Sequence, residues 1–370
     1  MLTSYDKNSQ MINVTKTYLP DKNKYKSYID RIYDSSWITN NGPLVRELEE
    51  RLADYLGVKN IVLVANGTAA LEIAYRTLGL KGFVITTPFS FVATTSSLVT
   101  NALLPIFCDI DDKTLNINPA HIEAQITSNT SAIVPVHVFG NTCSVEAIDA
   151  IAKKHNLKVV YDASHAFGVK YKGQSVLNYG DISTLSFHAT KLFHTIEGGA
   201  IVINDDTLVQ KARYLINFGI ENQTSIPELG INAKMNEFEA AMGLCMLDEM
   251  ENIFNKREEL YWIYEKALSD IVDMQQRDIE SSSNYGYFPI LLKDEKELLK
   301  VQDKLNQKDI FPRRYFNTSL DTLPYIEPKQ YMPISRDIAS RILCLPIYPQ
   351  LQKREQEDII LTIREVLESL

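Results

Sequence analysis

Cysteine is scarce in this chain, with four among 370 residues. Cys108, Cys143, Cys245 and Cys344 stand far apart with no paired short spacing. That argues against a zinc ribbon or a disulfide-stapled scaffold, fits buried thiols in a reducing compartment, and leaves no metal site expected. Positive charge is also short. The 38 Lys and Arg against 47 Asp and Glu leave a formal charge of −9, so a broad nucleic-acid-binding face is excluded, because phosphate backbones require clustered cations. No apolar run of about 18 residues occurs, which argues against a membrane span. Met1 to Leu19 lacks the charged-then-apolar build of a signal peptide. A cytoplasmic protein without membrane or nucleic-acid partners is the expectation. Also missing are a Gly-Lys-Ser/Thr phosphate loop and a Gly-x-Gly-x-x-Gly turn after the first strand, so nucleoside-triphosphate and dinucleotide sites lose ground.

What is present is an ordinary globular composition, with 45% apolar and 23% charged residues, 15 Gly and 14 Pro. At about 150 residues per domain the length suggests two domains. Leu44, Leu48, Leu52 and Leu56 recur every four residues, which predicts an amphipathic helix stopped by Gly57. Short apolar runs follow at Ile61 to Val64, Phe83 to Ile85, Leu104 to Phe107, Ala132 to Val138, Val159 to Tyr161 and Thr184 to Phe187, interleaved with helix-like or loop segments. This alternation predicts an α/β fold: a large, mixed but mostly parallel sheet with helices on both faces, whose ligands gather where strands end and helices begin. A long helix is expected from about Asn236 through Glu265. After it, strand-like Tyr287 to Leu292 and Cys344 to Ile347 alternate with helices Glu295 to Asn306 and Lys353 to Leu367. The expected organisation is a large α/β domain over residues 1–250 and a smaller α+β domain over 251–370.

Four segments carry chemistry. Ser186-Phe187-His188-Ala189-Thr190-Lys191 leaves a strand, and Glu197-Gly198-Gly199-Ala200 leads into another. A lysine just past a strand end, near glycines that let backbone approach a ligand, suits Schiff-base chemistry, although a lone lysine is more often a solvated charge. Lys158-Val159-Val160-Tyr161-Asp162 ends a strand with a carboxylate. It could keep the pyridine nitrogen of pyridoxal phosphate protonated, or simply cap a helix. Asn66-Gly67-Thr68-Ala69-Ala70-Leu71 follows a strand and opens a helix, so its free N–H groups and dipole form a phosphate cradle to which Thr68 adds a hydroxyl. The plain alternative is a well-capped helix. Phe91, where a strand gives way to the next helix, could stack on a flat cofactor or pack in the core. Cradle, aromatic, carboxylate and lysine all fall at strand ends of one sheet, and that coincidence favours a cofactor site.

With these segments, Tyr161-Asp162-Ala163-Ser164-His165-Ala166, and Gly230-Ile231-Asn232-Ala233-Lys234-Met235 with Glu237 and Ala240-Ala241, the chain resembles the nucleotide-sugar aminotransferases of the DegT/DnrJ/StrS family, most strongly from about Trp37 to Leu247. The resemblance implies the aspartate-aminotransferase type of fold (fold type I), a pyridoxal 5′-phosphate cofactor and a homodimer with shared active sites. It makes Lys191 the lysine that carries the cofactor and moves protons, and Asp162 the partner of the pyridine nitrogen. Gly67, Thr68 and Ala69 would hold the phosphate with Ser186. Phe91 would cover one ring face, His165 would lie near the ring hydroxyl or the other face, and Asn232 would reach the phosphate of the neighbouring subunit's cofactor. Leu80-Lys81-Gly82-Phe83 and Tyr161 depart from the family pattern without touching a group the chemistry needs.

A branch of the family that removes a sugar hydroxyl has His in place of the lysine, so Lys191 implies transamination instead. L-glutamate would supply the amino group and a nucleotide-linked keto sugar would receive it. The resemblance points to dTDP-4-keto-6-deoxy-D-glucose, aminated at carbon 4 to dTDP-4-amino-4,6-dideoxy-D-glucose with release of 2-oxoglutarate, for surface polysaccharide such as O-antigen. Alternatives are amination of carbon 3 of a dTDP-3-keto-6-deoxyhexose, another pyridoxal phosphate enzyme of the same fold, and a non-catalytic cofactor-binding regulator. For the sugar nucleotide, Trp37 to Pro43 offers Thr39 and Asn40. Phe311 to Phe316 offers two cations, Arg314 with its neighbour, and Tyr315; His188 and Lys234 are further candidates.

Overall fold

The computed structural model describes residues 11–369; residues 1–10, where the Met1 to Leu19 segment begins, and Leu370 lie outside the described residues. The chain starts with β1 (Ile12–Asn13), α1 (Lys22–Ser35) and α2 (Pro43–Leu56). One sheet then takes β2 (Ile61–Val64), β3 (Phe83–Thr86), β4 (Leu104–Phe107), β5 (Thr130–Val134), β6 (Lys158–Asp162), β9 (Ile182–Ser186) and β10 (Gly199–Ile203), while β7 (Lys170–Tyr171) and β8 (Gln174–Ser175) form a separate hairpin. The order is β2-β10-β9-β6-β5-β3-β4. Every neighbouring pair is parallel except the two made by β10.

Both faces of this sheet are buried, and the pleat decides which residue goes where. Leu63, Leu185, Ala200 and Val202 share a core with Leu48 of α2 and Leu244 of α7 (Glu237–Asp248). Their neighbours Val62, Val64, Ile201 and Ile203 point the other way, onto Ile73 of α3 (Gly67–Thr77) and Ala212 of α6 (Asp206–Leu215). The helices α4 (Val92–Thr100) and α5 (Val145–His155) follow β3 and β5 in the same crossover pattern.

The expected apolar run Ala132 to Val138 makes a strand only to Val134, because Pro135 has no N–H for the ladder. The single helix expected from Asn236 through Glu265 is two, α7 and α8 (Met250–Leu268), parted at Glu249. Nearly all of α7 is buried whereas α8 has a wet face, so the turn between them re-aims the chain from one core to the next. There, α8, α9 (Glu295–Asn306) and α11 (Lys353–Glu368) pack Tyr264, Leu298 and Ile359 against an antiparallel sheet of β11 (Asp273–Met274), β12 (Phe288–Leu291) and β14 (Ile342–Leu345). The short strand β13 (Ile310–Phe311) pairs with β1, which fastens the N-terminal strand to this C-terminal part. Ile338 of α10 (Pro333–Arg341) joins Phe89 and Phe139 in a core that bridges the two parts.

One buried carboxylate ties the start of α2 to α7. Glu237 accepts the Leu44 N–H at 2.8 Å and the Val45 N–H at 2.9 Å, satisfying donors that a helix N-terminus otherwise leaves free. Gly42 makes room for it, since a Cβ there would lie 2.5 Å from the Glu237 carboxyl carbon.

Candidate active site

Because β2, β3, β6 and β9 run in one direction, the residues that follow them emerge at one edge of the sheet. They line a cavity of about 290 Å³ that takes Gly67 and Thr68 after β2, Phe91 after β3, Asp162 and His165 at the end of β6, and Ser186 and Lys191 at the end of β9. The C-terminal part closes the far wall with Tyr287, Arg313 and Tyr315.

The cradle at the start of α3 is held open by its own cap. The Asn66 side chain accepts the Ala69 N–H at 2.8 Å, so the first turn is fixed while Gly67 and Thr68 face the cavity. A Cβ on Gly67 would fall 2.7 Å from Ser186 Cβ, so only glycine lets helix and strand approach this closely. Ala69 itself does not line the cavity.

Asp162 is 5% exposed. One carboxylate oxygen accepts the Thr94 hydroxyl at 2.7 Å and the other the Ser164 N–H at 3.1 Å. No helix starts after β6, so helix capping does not account for this buried acid. His165 stacks parallel to Phe139 and Phe316, and its Nδ1 accepts the Phe139 N–H at 3.2 Å, which places the ring proton on Nε2. Burial, with the Lys191 charge nearby, holds His165 far below the usual histidine range and therefore neutral.

The Lys191 amine is packed round with protein although its side chain borders the cavity. Burial brings it down to about 8, with Asp162 and then Tyr315 opposing that fall. Nζ donates to the Tyr287 hydroxyl at 3.3 Å. The loop that presents it is closed at both ends, with Phe187 N–H to Gly198 O at 2.8 Å and Thr195 N–H to Phe187 O at 2.9 Å. Phe91 stands 52% exposed at the cavity, free to cover a flat ligand.

The residues named for the sugar nucleotide fall in three places. His188 and Tyr315 line this cavity. Arg314 does not; it turns away to Glu295 at 2.6 Å and the Ser340 carbonyl at 2.9 Å. Its neighbour Arg313 faces the cavity instead, its guanidinium 4.6 Å from the Tyr315 ring, because successive residues of an extended segment point to opposite sides. Asn40 and Lys234 line a second cavity of about 180 Å³. Lys234 Nζ donates to Asn217 at 2.7 Å and to Asn232 at 2.9 Å; Asn232 is exposed and lines neither cavity. Thr39 lines neither, its carbonyl taking the Trp37 indole N–H at 2.5 Å. Tyr287 escaped the sequence reading, as did Thr94 and Ser164, the partners of Asp162.

A phosphate cradle, an exposed aromatic, a buried acid and a lysine whose amine is partly neutral near pH 7 fit a flat, phosphorylated aldehyde. On this sheet order that donor set defines a fold type I pyridoxal 5′-phosphate-dependent transferase. The sequence profile of the DegT/DnrJ/EryC1/StrS aminotransferase family matches residues 20–364, and the chain belongs to that family. It is an aminotransferase, and its cofactor is pyridoxal 5′-phosphate. A dTDP-4-amino-4,6-dideoxy-D-glucose transaminase of Shigella dysenteriae is 45% identical over 362 residues, 96% of this chain and 99% of its own. One of the same name from Escherichia coli is 38% identical over 370 residues, 97% of this chain and 99% of its own. The crystal structure of DesI in the presence of its TDP-sugar product superposes with a TM-score of 0.91 at 33% identity, over 96% of this chain and 93% of that one.

Proposed function

We propose that this enzyme moves the amino group of L-glutamate to carbon 4 of dTDP-4-keto-6-deoxy-D-glucose, giving dTDP-4-amino-4,6-dideoxy-D-glucose and 2-oxoglutarate. The observation that carries the reading is the convergence of Lys191, Asp162 and the Gly67–Ser186 cradle on one cavity. The choice of sugar is supported by the 45% identity, along nearly the whole chain, to a transaminase named for that product.

Pyridoxal phosphate, when bound, supplies an aldehyde that takes up the amino group and a ring that stabilises negative charge on the substrate carbon. The protein's own groups do the rest. Gly67 and Thr68, at the positive end of α3, and the Ser186 hydroxyl would hold the phosphate. Ala69 would contribute little, its N–H being engaged by Asn66. Asp162, fixed by Thr94 and Ser164, would hold a proton on the ring nitrogen. Phe91 would cover one ring face, with His165 kept neutral beside it. With its amine near 8, about a tenth of Lys191 is unprotonated at pH 7, enough to accept a proton from one carbon and return it to the next. Arg313 is placed to meet an anionic group of either substrate.

The exposed Asn232, with Asn40 and Lys234 at the second cavity, suits a homodimer in which one chain completes the other's site, Asn232 reaching the partner's cofactor phosphate. We place the enzyme in the cytoplasm, in line with four buried free thiols; no helix among the described residues is long and apolar enough to cross a membrane. We divide the chain into a cofactor part to about residue 250 and a smaller C-terminal part, a reading supported by the separate seven-stranded and three-stranded sheets. A role in O-antigen or similar surface polysaccharide follows from the product. Incubating the purified protein with glutamate and the keto sugar, and following 2-oxoglutarate, tests the reading. Oxoglutarate formed in a single equivalent and never in turnover would support another acceptor, and none at all would support a non-catalytic regulator.

A further inference from the structure

We propose that Tyr287 is a further catalytic residue, whose hydroxyl holds the Lys191 amine whenever that amine is free, and that Arg257 is the positioning residue that fixes Tyr287. The inference rests on the reading above, that Lys191 moves the proton.

Lys191 and Tyr287 come from different parts of the molecule. Lys191 follows β9 of the large sheet, and Tyr287 immediately precedes β12 of the small one. Their contact, Nζ to hydroxyl at 3.3 Å, is the hydrogen bond the amine makes among the described residues. A lysine N–H given to the tyrosine oxygen leaves the nitrogen lone pair free to face the cavity. After the amine takes up a proton, the same oxygen partly replaces the water that an ammonium loses on burial. The Tyr287 phenol can fill this role at any working pH, because burial pushes its ionisation well up and it stays neutral.

The tyrosine is held on every side. Its ring lies 4.6 Å from the His165 ring and 6.0 Å from Tyr315, edge-on. The turn before it is pinned by two buried side chains. Asn284 donates to the His165 and Phe167 carbonyls at 2.7 and 3.1 Å. Arg257, on α8, donates to the Gly286 carbonyl at 3.2 Å and the Ile347 carbonyl at 2.9 Å. Arg257 has no carboxylate partner among the described residues, and burial lowers it to about 10. A buried, unpaired guanidinium is costly. Packing alone would be met by an apolar side chain, whereas a guanidinium that fixes the approach of Tyr287 to the amine has a reason to stay.

The titratable and charged groups that line the cavity with Lys191 are Asp162 at the end of β6 and His165 three residues after it, Tyr287, Arg313 and Tyr315 from the C-terminal part, and His188 and Glu197 from its own loop. Tyr287→Phe removes only the oxygen and keeps the ring. In the cofactor-free protein, acetylation of Lys191 measured by peptide mass against pH reports the amine's titration. Tyr287→Phe is expected to move that midpoint down by about one pH unit, the loss of one hydrogen bond to a charged group. In the loaded enzyme, single turnovers with glutamate deuterated at carbon 2 are expected to slow by about ten- to a hundredfold with a larger isotope effect, as proton transfer becomes the slow step. Arg257→Lys, which keeps a donor, is expected to shift the midpoint in the same direction by less. An unchanged midpoint and an unchanged isotope effect in Tyr287→Phe would overturn the inference. Retained turnover by Lys191→Ala would instead overturn the assignment of Lys191 beneath it.

Discussion

Lys191 is maintained at a cost to the fold. Its amine titrates at about 8 in the folded chain against an ordinary 10.5, so the buried ammonium is penalised in full below pH 8. The unfolded chain binds the extra proton between those values, so this residue's contribution makes the cofactor-free protein more stable as pH rises from about 8 to about 10.5. Replacing it with methionine, of similar length and no charge, is expected to raise the stability of the cofactor-free protein at pH 7 by about 2 kcal/mol in urea unfolding, while abolishing turnover and the absorbance band of the lysine-linked cofactor. A destabilised Lys191→Met would mean that the amine is better solvated than its surroundings indicate. Asp162→Asn keeps an acceptor for Thr94 but removes the charge that opposes the fall of Lys191. The lysine is then expected to titrate lower and turnover to drop by about two to three orders of magnitude, as for loss of a buried electrostatic partner; steady-state kinetics with a cofactor titration separates this from weaker binding.

At this scale the residues readable in the sequence were those tied to a strand end: Lys191, Asp162, Ser186, Gly67, Thr68 and Phe91. Tyr287 carried no local signal, because its meaning comes from a lysine 96 positions away. Arg313 and Arg314 could not be told apart without the backbone that points one inward and the other to Glu295.

Helix α3 depends on its fit to β9. Gly67→Ala would drive a methyl group into Ser186, 2.7 Å away from Cβ to Cβ. The expected result is a loss of about 1–3 kcal/mol and cofactor affinity weakened at least about tenfold, checked by urea unfolding and a fluorescence titration with pyridoxal phosphate. The α2–α7 junction makes a parallel case without the chemistry. Glu237→Ala would strand the Leu44 and Val45 N–H groups in a buried place, with an expected loss of about 2 kcal/mol. Since Glu237 does not line the active cavity, kcat should hold where the protein remains folded. The leucines of α2 announced their helix, and the strands announced themselves by apolar runs. The break at Glu249 did not, because helical periodicity continues across it while the buried side changes. The two-residue pair of β1 and β13 is too short to leave a pattern.

For the whole molecule, the sheet was legible because a parallel sheet buried on both faces demands continuous apolar strands, and no other layering suits them. A role for the exposed Asn232 and Asn40 was not, since a surface residue that would serve a partner chain leaves no packing pattern in its own. Shared sites would show themselves by complementation. Lys191→Ala and Asn232→Ala proteins, each impaired alone, should regain activity when mixed and re-equilibrated, because a mixed dimer contains one site with both groups intact; no recovery would confine each site to one chain.

The most direct test is the proton NMR spectrum of the sugar made from dTDP-4-keto-6-deoxy-D-glucose, glutamate and the cofactor-loaded protein. Nitrogen on carbon 4 in the gluco configuration, with one 2-oxoglutarate per amino sugar, is the expected result. An amino sugar of galacto configuration at carbon 4, or no amino sugar while glutamate is left unconverted, would contradict it.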